Sequence, residues 1–458
     1  MSAPTPSPRP LAEDVADTLV ALEAALDRFA ELRPGARSDR QPVHVVYGGA
    51  DRFKRDTPAK LGALARASLD RWGADPLRFA RIVGMPEALA ETVHARVCAK
   101  LEREPVEDFR IDFEDGFGHR SDADEDAAAD AAASELAAAV WAKTAPPFFG
   151  IRIKPLDGAL MGRAIRTLDR FVTGLVEDAG GLPENFVVTL PKVAVPEQVS
   201  TLVRLFEALE RRLDLADGAL QLELMVELGH ALFDEHGAMV LPQLLRAAEG
   251  RCRGAHFGTY DFTASFGVTA EHQRMDHPAA EFALMHMQAA FAETGVWLAD
   301  GATTVLPLPV HRAPAPTPTD PDGGLDPDQR EANRAAVHRA WRLAYANTQR
   351  SLARGFYQGW DLHPAQLPVR YAAVHAFFLA DLDAHTARLR NFIDQAAQAT
   401  RVGEVFDDAA TGQGLLNSFL RAIACGAVDP AELAATGLSE AELRTRSFAA
   451  ILAGRAPG

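Results

Sequence analysis

An apolar run that reads Leu220-Gln-Leu-Glu-Leu-Met-Val226 ends directly before a charged residue, Glu227. Seven further runs of this kind occur along the 458 residues, and helix-length sequence separates each run from the next. They cover residues 43–47, 109–113, 148–153, 186–190, 252–257, 296–298 and 355–362. Short apolar strands that alternate with helices are typical of parallel sheets. Eight such units predict an α/β fold, a (β/α)8 barrel.

Charged and polar residues close or follow these runs. In parallel barrels the catalytic groups lie at the C-terminal ends of the strands, so these residues are the candidates for function. They are Asp112, Glu114, Asp115, Arg152, Lys154, Lys192, Glu227, Asp261, Asp300 and His363.

The sequence predicts two additional segments around this barrel. Residues 1–40 form an arm and a helix, 11–32, that caps the bottom of the barrel or packs on its outside. The barrel takes up residues 41–368, with a flexible insertion rich in proline and glycine at 312–331. Residues 369–458 show no further strand signal and are predicted to form a helical extension, whose last helix begins after Ser439 with Glu442 as its capping partner.

The charge balance limits the partners that we expect. There are 47 Lys and Arg against 63 Asp and Glu, a net charge of −16, without the clustered basic surface that nucleic-acid binding requires. Neither a signal peptide nor a run long enough to span a membrane is recognisable, and the three cysteines are scattered. These features predict a cytoplasmic protein that contacts neither nucleic acid nor membrane.

Glu227 and Asp261 follow neighbouring strands, and no basic residue stands beside either in the sequence. Two carboxylates that face one pocket repel each other unless a cation lies between them. Magnesium or manganese, held by one or two carboxylates with waters and substrate oxygens, meets that need. The alternative is that one carboxylate forms a structural ion pair with Arg152 or Lys192.

Three basic residues at strand ends are candidates for binding or chemistry. Arg152 can grip a carboxylate or stabilise an enolate oxygen. Lys192 is a simple cation, a proton donor or a Schiff-base nucleophile. His363 binds substrate or caps the rim of the barrel. Among the acids after strand two, one is expected to hold Arg152 in position.

The order of these motifs resembles the HpcH/HpaI aldolase and citrate lyase beta-subunit family. The resemblance covers residues 112–366 and rests on motifs at successive strand ends. They are Asp112-Phe-Glu-Asp115, Ile151-Arg-Ile153, Leu190-Pro-Lys-Val193, Met225-Val-Glu227, Phe257-Gly-Thr-Tyr-Asp261, Phe266-Gly267, Gly355-Phe356 and Leu362-His-Pro-Ala-Gln366.

The resemblance implies a magnesium-dependent enzyme of the phosphoenolpyruvate/pyruvate-binding TIM barrels that makes or breaks a carbon–carbon bond. It assigns Glu227 and Asp261 as metal ligands and Arg152 as the enolate or carboxylate partner. Glu114 and Asp115 match the family's acidic pair, and the backbone of Gly258, Thr259 and Tyr260 would help to hold the substrate carboxylate. Assembly into a homo-oligomer is a further expectation from the family.

Two positions depart from the family pattern. Lys154 stands where the family usually has asparagine, which favours a more anionic substrate. Gln358-Gly359 replaces a Gly-Lys pair, which weakens the inference of coenzyme A binding.

Four functions therefore remain open. The leading interpretation is a metal-dependent carbon–carbon lyase or aldolase that acts on a small 2-oxo or hydroxy acid. The alternatives are an acyl-CoA lyase or synthase of the citrate lyase or malyl-CoA type, a Schiff-base aldolase that uses Lys192, and a barrel without enzymatic activity.

Overall fold

A closed barrel of eight parallel strands forms the centre of the molecule, and the strands follow one another in chain order. The structure is a computed structural model that describes residues 15–35, 37, 39–317, 320–394, 400–402, 405–407, 409–428, 432 and 436–455. The strands are β1 His44–Gly49, β2 Asp108–Asp112, β3 Phe148–Arg152, β4 Phe186–Leu190, β5 Gln221–Val226, β6 Cys252–Phe257, β7 Trp297–Ala302 and β8 Gln358–Asp361. Each overlaps one of the eight apolar runs, so the predicted (β/α)8 barrel is confirmed.

At least one helix follows every strand of the barrel, and one further helix precedes β1. In chain order they are α1 Ala16–Leu32, α2 Thr57–Trp72, α3 Pro76–Val83, α4 Ala90–Arg103, α5 Asp122–Trp141, α6 Met161–Ala179, α7 Pro196–Leu213, α8 Leu241–Ala247, α9 Thr259–Ser265, α10 Pro278–Phe291, α11 Pro327–Ala353 and α12 Leu367–Leu379. Helix α12 follows β8 and packs against α2, α4 and α11. The domain boundary that the sequence predicts at residue 368 falls inside this helix.

The apolar core lies between the strands and the helices. Side chains on the outer side of the strands meet the inner faces of the helices, as where Phe171 of α6 stacks on Phe186 of β4 with the ring centroids 6.1 Å apart. Strand residues such as Ile151, Val188 and Leu224 are completely buried. Burial of this kind stabilises by roughly 25 cal/mol per Å² of apolar surface.

The inside of the barrel is polar instead. Arg110 of β2 donates from Nη2 to Glu223 Oε1 of β5 over 2.7 Å and also pairs with Asp108. The hydroxyl of Tyr47 lies 3.1 Å from Nδ1 of His256, and Nε2 of the same histidine is 3.5 Å from Glu223. Burial raises the pKa of Glu223, but the adjacent Arg110 guanidinium outweighs this effect and holds the pKa below its ordinary value.

Helix α1 matches the described part of the helix predicted at 11–32, whose residues 11–14 lie outside the described residues, but the predicted packing of this helix on the barrel is wrong. None of its residues is buried, and Leu19, Leu22 and Leu26 are each more than 40% exposed. Amphipathic spacing predicts that a helix forms but does not specify which surface covers its apolar side. Hydrogen bonds join the chain just after α1 to the end of α10, including that from Gly35 N to Glu293 O, 2.7 Å long.

The described part of the region beyond α12 contains four more helices and, against the prediction, two short strands. The helices are α13 Leu382–Asp394, α14 Ala409–Ala424, α15 Glu440–Thr445 and α16 Phe448–Arg455, and the antiparallel strands are β9 Thr400–Val402 and β10 Val405–Asp407. Three-residue strands are too short to show an alternating pattern, which is why the sequence did not reveal them. The cap that Ser439 and Glu442 form at the start of α15 is confirmed. No helix in the described ranges has the length and apolarity needed to cross a membrane.

The close contact between β3 and β4 can be tested at Gly150. A methyl group added there would collide with the carbonyl oxygen of Val187, so we expect Gly150→Ala to lower the free energy of unfolding by roughly 1–3 kcal/mol. Gly174→Ala in α6 is the matched control because its methyl group would meet Ala133 Cβ at an ordinary 3.5 Å. The control should keep or raise stability, by up to about 1 kcal/mol. Urea unfolding measures both, and wild-type stability of Gly150→Ala would contradict this packing.

Candidate active site

Six charged side chains that follow different strands meet at the C-terminal face of the barrel. Glu114 and Asp115 follow β2, Arg152 ends β3, Lys192 follows β4, Glu227 follows β5, and Asp261 lies in α9 directly after β6. The parallel arrangement brings these strand ends together although they are far apart in the sequence. The sequence predicted all six as candidates from their positions alone.

The ammonium group of Lys192 lies at the centre of the four carboxyl groups. Its Nζ is 2.7 Å from Glu114 Oε1, 3.0 Å from Asp261 Oδ2, 3.9 Å from Asp115 Oδ2 and 4.0 Å from Glu227 Oε1. Burial lowers the pKa of Lys192, but Glu227 and Glu114 outweigh this and hold the pKa well above its ordinary value. Lys192 therefore stays charged at neutral pH.

The backbone of Lys192 has an unusual conformation that serves the same site. Its φ angle is +51°, in the left-handed region that residues with a Cβ seldom adopt. In this conformation the amide N–H of Lys192 donates to Glu227 Oε1 over 2.7 Å while the side chain reaches Glu114 and Asp261. Such strain is typical of functional sites.

Glu227 is the most deeply buried acid of the four, with 3% of its side chain exposed. Gly258, directly after β6, lies against it, and a Cβ at Gly258 would be 2.5 Å from Glu227 Cβ and 2.8 Å from Oε2. Burial raises the pKa of Glu227 to about 8, even though Lys192 opposes the shift. The lack of a side chain at Gly258 leaves space for the Glu227 carboxyl group. Lys192 alone does not provide enough positive charge to keep this group ionised at neutral pH.

Asp112 holds Arg152 in position. The sequence predicted that one of the acids near the end of strand two would do so. Asp112 accepts from Arg152 Nε over 2.7 Å and from Nη2 over 2.5 Å. Nη1 of Arg152 lies 2.8 Å from Glu114 Oε2, and the guanidinium carbon lies 4.9 Å from the Tyr47 ring centroid and 5.7 Å from that of Trp360. Glu114 thus joins the two cations of the site.

The structure does not bring Lys154 into this group. Its ammonium group is buried, donates to the carbonyl oxygen of Phe113 over 2.5 Å and lies 3.1 Å from Glu125 Oε2 of α5. Lys154 thereby ties the segment after β2 to α5. The positive charge that we expected to face the substrate is neutralised there instead.

The other predicted binding residues surround the site. The Tyr260 hydroxyl donates to the carbonyl oxygen of Ala302 over 2.7 Å, while Thr259 Oγ1 is buried without a hydrogen-bond partner in the described chain. His363 Nδ1 accepts from Ala365 N over 3.1 Å, as a cap at the end of β8. Burial lowers the pKa of His363, which keeps the imidazole neutral at pH 7. Asp300 is an interior residue of β7, where Ser351 donates to it.

Sequence reasoning missed the residues that support the site from below. Tyr47 and Trp360 pack with their ring centroids 4.6 Å apart under Arg152, and Arg110, Glu223 and His256 form the buried polar layer. A signal for the charged members was present in the alternation of the strands, since Arg110 stands two residues before Asp112 and Glu223 four before Glu227. Successive even-numbered steps along a strand point to the same face.

The residues at the centre fit a divalent ion in their chemistry. No group of three or more His, Cys, Asp or Glu that could hold a metal occurs in the part of the chain that the structure describes. Magnesium nevertheless requires only one or two protein carboxylates. The Lys192 ammonium group marks a position where Glu227 and Asp261 both face one cation.

One family of proteins matches almost the whole chain. It is described as Domain of unknown function (DUF6986), and the match covers residues 22–451. The chain belongs to this family. No curated protein matches the chain.

Several solved structures resemble this member of the family. A citrate lyase from Burkholderia xenovorans LB400 has a TM-score of 0.53 and 17% identity and covers 88% of this chain and 100% of its own. CitE from Mycobacterium tuberculosis, in complex with magnesium, acetoacetate and coenzyme A, has a TM-score of 0.46, 16% identity and coverages of 85% and 100%. A malate synthase from Haloferax volcanii in a lead(II) complex has a TM-score of 0.44, 12% identity and coverages of 91% and 98%. The first of these confirms the resemblance to citrate lyase at the level of the fold.

The raised pKa of Glu227 predicts how stability depends on pH without metal. Between pH 4.5 and about 8 the folded protein keeps a proton that the unfolded chain has lost. The free energy of unfolding should therefore fall as the pH rises through this window, by at most about 1.4 kcal/mol per pH unit from this group. Glu227→Gln should lack this contribution, and urea unfolding in the presence of chelator from pH 5 to 8 measures it.

The control for this experiment is Glu177→Gln, since Glu177 is exposed on α6. It should keep the wild-type pH dependence. If Glu227→Gln also kept the full wild-type dependence, Glu227 would not be the group that binds the proton.

Proposed function

We propose that this protein is a divalent-metal-dependent carbon–carbon lyase or aldolase that acts on a small 2-oxo or hydroxy acid. The observation that carries the proposal is that Glu227 and Asp261 both face the single cation Lys192. Glu114 connects this cation to Arg152. Two carboxylates for a metal and one arginine for a developing negative charge are the elements that enolate chemistry needs.

Glu227 and Asp261 would hold magnesium or manganese. When bound, the ion would act as a Lewis acid that stabilises negative charge on substrate oxygens. The raised pKa of Glu227 favours this assignment because a cation stronger than an ammonium group would stabilise its carboxylate form. Lys192 would have to leave its position between the carboxylates, and its side chain, 30% exposed, has solvent on one side to enter.

Arg152 would stabilise the enolate or bind the substrate carboxylate. Its guanidinium is held on one edge by Asp112 and rests against the Tyr47 ring, so it is fixed before substrate binds. A cation that needs no reorganisation during the reaction stabilises the transition state more than a mobile one. Glu114, which contacts both Arg152 and Lys192, would position the two cations relative to each other.

Asp115 is suited to transfer a proton. Its carboxyl group is 63% exposed, the largest value of the four acids, and it lies 3.9 Å from both Arg152 Nη1 and Lys192 Nζ. A substrate hydroxyl group can reach this side chain from solvent. We assign to Asp115 the removal of the hydroxyl proton during carbon–carbon bond cleavage.

The contacts of Lys192 argue against the Schiff-base alternative. A Schiff-base lysine must lose its proton, whereas the surrounding carboxyl groups hold the pKa of Lys192 above its ordinary value. The acyl-CoA alternative stays a prediction. Gln358, at the position of the first residue of the family's Gly-Lys pair, is buried and donates to Asp108 over 3.3 Å inside the barrel.

The proposal predicts that metal binding depends on Asp261 and on a 2-oxo acid. Calorimetric titration of chelator-treated protein with magnesium or manganese should show binding that strengthens when pyruvate or oxaloacetate is present. Asp261→Asn replaces one of the two carboxylate ligands by a neutral amide and should weaken binding at least about tenfold. Asp178→Asn, an exposed residue of α6, should bind like the wild type.

Absence of metal binding to the wild-type protein, with or without the 2-oxo acid, would overturn the proposal. So would a covalent adduct between Lys192 and pyruvate that borohydride traps, because this would show Schiff-base chemistry. Titration with coenzyme A tests the acyl-CoA alternative, because an enzyme of that type should bind coenzyme A.

Arg152→Lys tests the role of the arginine once a cleaved substrate has been found. The variant keeps a positive charge but cannot bind Asp112 through two parallel hydrogen bonds. We expect kcat/KM to fall about 100-fold, while metal affinity stays near the wild-type value. A parallel loss of metal affinity would show that Arg152 acts on the metal site as a whole instead.

A further inference from the structure

A second cavity lies at the opposite face of the barrel from the candidate active site. It has a volume of about 540 Å³ and is bounded by residues at the N-terminal ends of the last two strands, including Trp297 and Tyr357, and by side chains of α14. Cavities of this size hold metabolite-sized ligands. Nothing in the proposed lyase function uses this space.

Arg421 of α14 is one of three arginines that line this cavity. Its guanidinium carbon is 3.9 Å from the centroid of the Tyr357 ring, and Nη1 donates to Gln41 Oε1 over 3.1 Å. Within the described ranges no carboxylate pairs with Arg421. Burial lowers its pKa, and the nearby Arg446 lowers it further. A partly buried cation without an anionic partner is uncommon, since unpaired buried charge is costly.

Two acids, Asp39 and Glu293, line the same cavity, and Asp39 is already paired with arginines. Asp39 accepts from Arg37 Nη2 over 3.0 Å and lies 3.5 Å from Arg253 Nη2. Arg446 donates to the carbonyl oxygen of Arg37 over 3.0 Å. Among the described residues, three arginines (Arg37, Arg421 and Arg446) and two acids (Asp39 and Glu293) line the cavity, so its lining carries one more positive than negative charge in a protein whose overall charge is −16.

We propose that this cavity is a binding site for a small organic oxyanion, a carboxylate or a phosphate, whose charge Arg421 neutralises. The planar guanidinium offers parallel N–H groups that match both anions. The Tyr357 ring and Gln41 fix its orientation, so little side-chain freedom is lost on binding. The aromatic rings of Trp297 and Phe378 and the amide of Asn417 line the remaining space and suit a ligand with an apolar body.

Three probes of similar shape test the site in the full-length protein. Benzoate and phenyl phosphate differ in their anionic group, and benzyl alcohol is the uncharged control. Calorimetry should show that at least one anion binds the wild type and that benzyl alcohol binds at least about tenfold more weakly. The stronger of the two anions identifies the carboxylate or phosphate class, and inorganic phosphate shows whether the apolar body contributes.

Arg421→Met keeps the apolar stem over Tyr357 but removes the charge, so it should weaken anion binding at least about tenfold. Arg339→Met, an exposed residue of α11, is the matched control and should bind like the wild type. The proposal is overturned if neither anion binds the wild type up to about 10 mM, or if Arg421→Met binds as tightly as Arg339→Met.

A measurement on the wild type keeps the test valid if Arg421→Met does not fold. Phenylglyoxal modifies arginine side chains, and peptide mass spectrometry shows which ones have reacted. The bound anion should protect Arg421 and leave Arg339 equally reactive. Modification of Arg421 at the same rate with and without the anion would overturn the proposal.

Discussion

The two oxygens of the Glu114 carboxyl group each contact one cation, and the charge balance at the C-terminal face of the barrel depends on this bridge. Oε2 lies beside Arg152, and Oε1 lies beside Lys192. Glu114 and Arg152 are almost completely buried, so the charge of Glu114 is stable only while its two cations are present, whereas Arg152 also keeps its pair with Asp112. Loss of one partner from such a pair costs about 3–5 kcal/mol. The bridge therefore couples the arginine to the lysine, and through the lysine to Glu227 and Asp261.

The barrel separates its apolar and ionic interiors. Aromatic and aliphatic side chains fill the space between strands and helices, whereas Arg110, Glu223 and their neighbours occupy the centre of the barrel directly below the site. An ionic layer of this kind contributes little net stability compared with an apolar one. This layer places fixed dipoles and charges directly below the site. Between the layer and the site, the Tyr47 and Trp360 rings pack against Arg152.

Most of the fold could be predicted because its signals are local. Each strand is a short apolar run, and the parallel topology then brings the residues that follow the strands to one face. This is why Arg152, Lys192, Glu227 and Asp261 could be selected from the sequence alone, and why the likeness to citrate lyase holds for the fold.

Features that depend on contacts between distant segments could not be predicted. Lys154 stands two residues after Arg152, yet its ammonium group turns to Glu125 of α5, a contact that the strand pattern does not encode. The exposure of α1 and the pairing of β9 with β10 could not be predicted for the same reason, since each depends on which segments lie beside it in the folded chain. The cavity around Arg421 also arises only when α14 meets the start of β7 and β8.

The left-handed backbone of Lys192 has a consequence for evolution. Glycine would adopt this conformation without the cost of roughly 1 kcal/mol that a residue with a Cβ incurs, so selection for stability alone would favour glycine at position 192. Selection for the charge balance of the site favours a long cationic side chain there, because it contacts four carboxyl groups. The two pressures are opposed at a single residue, and a descendant of this protein that no longer needs the site would be free to become more stable by losing its lysine.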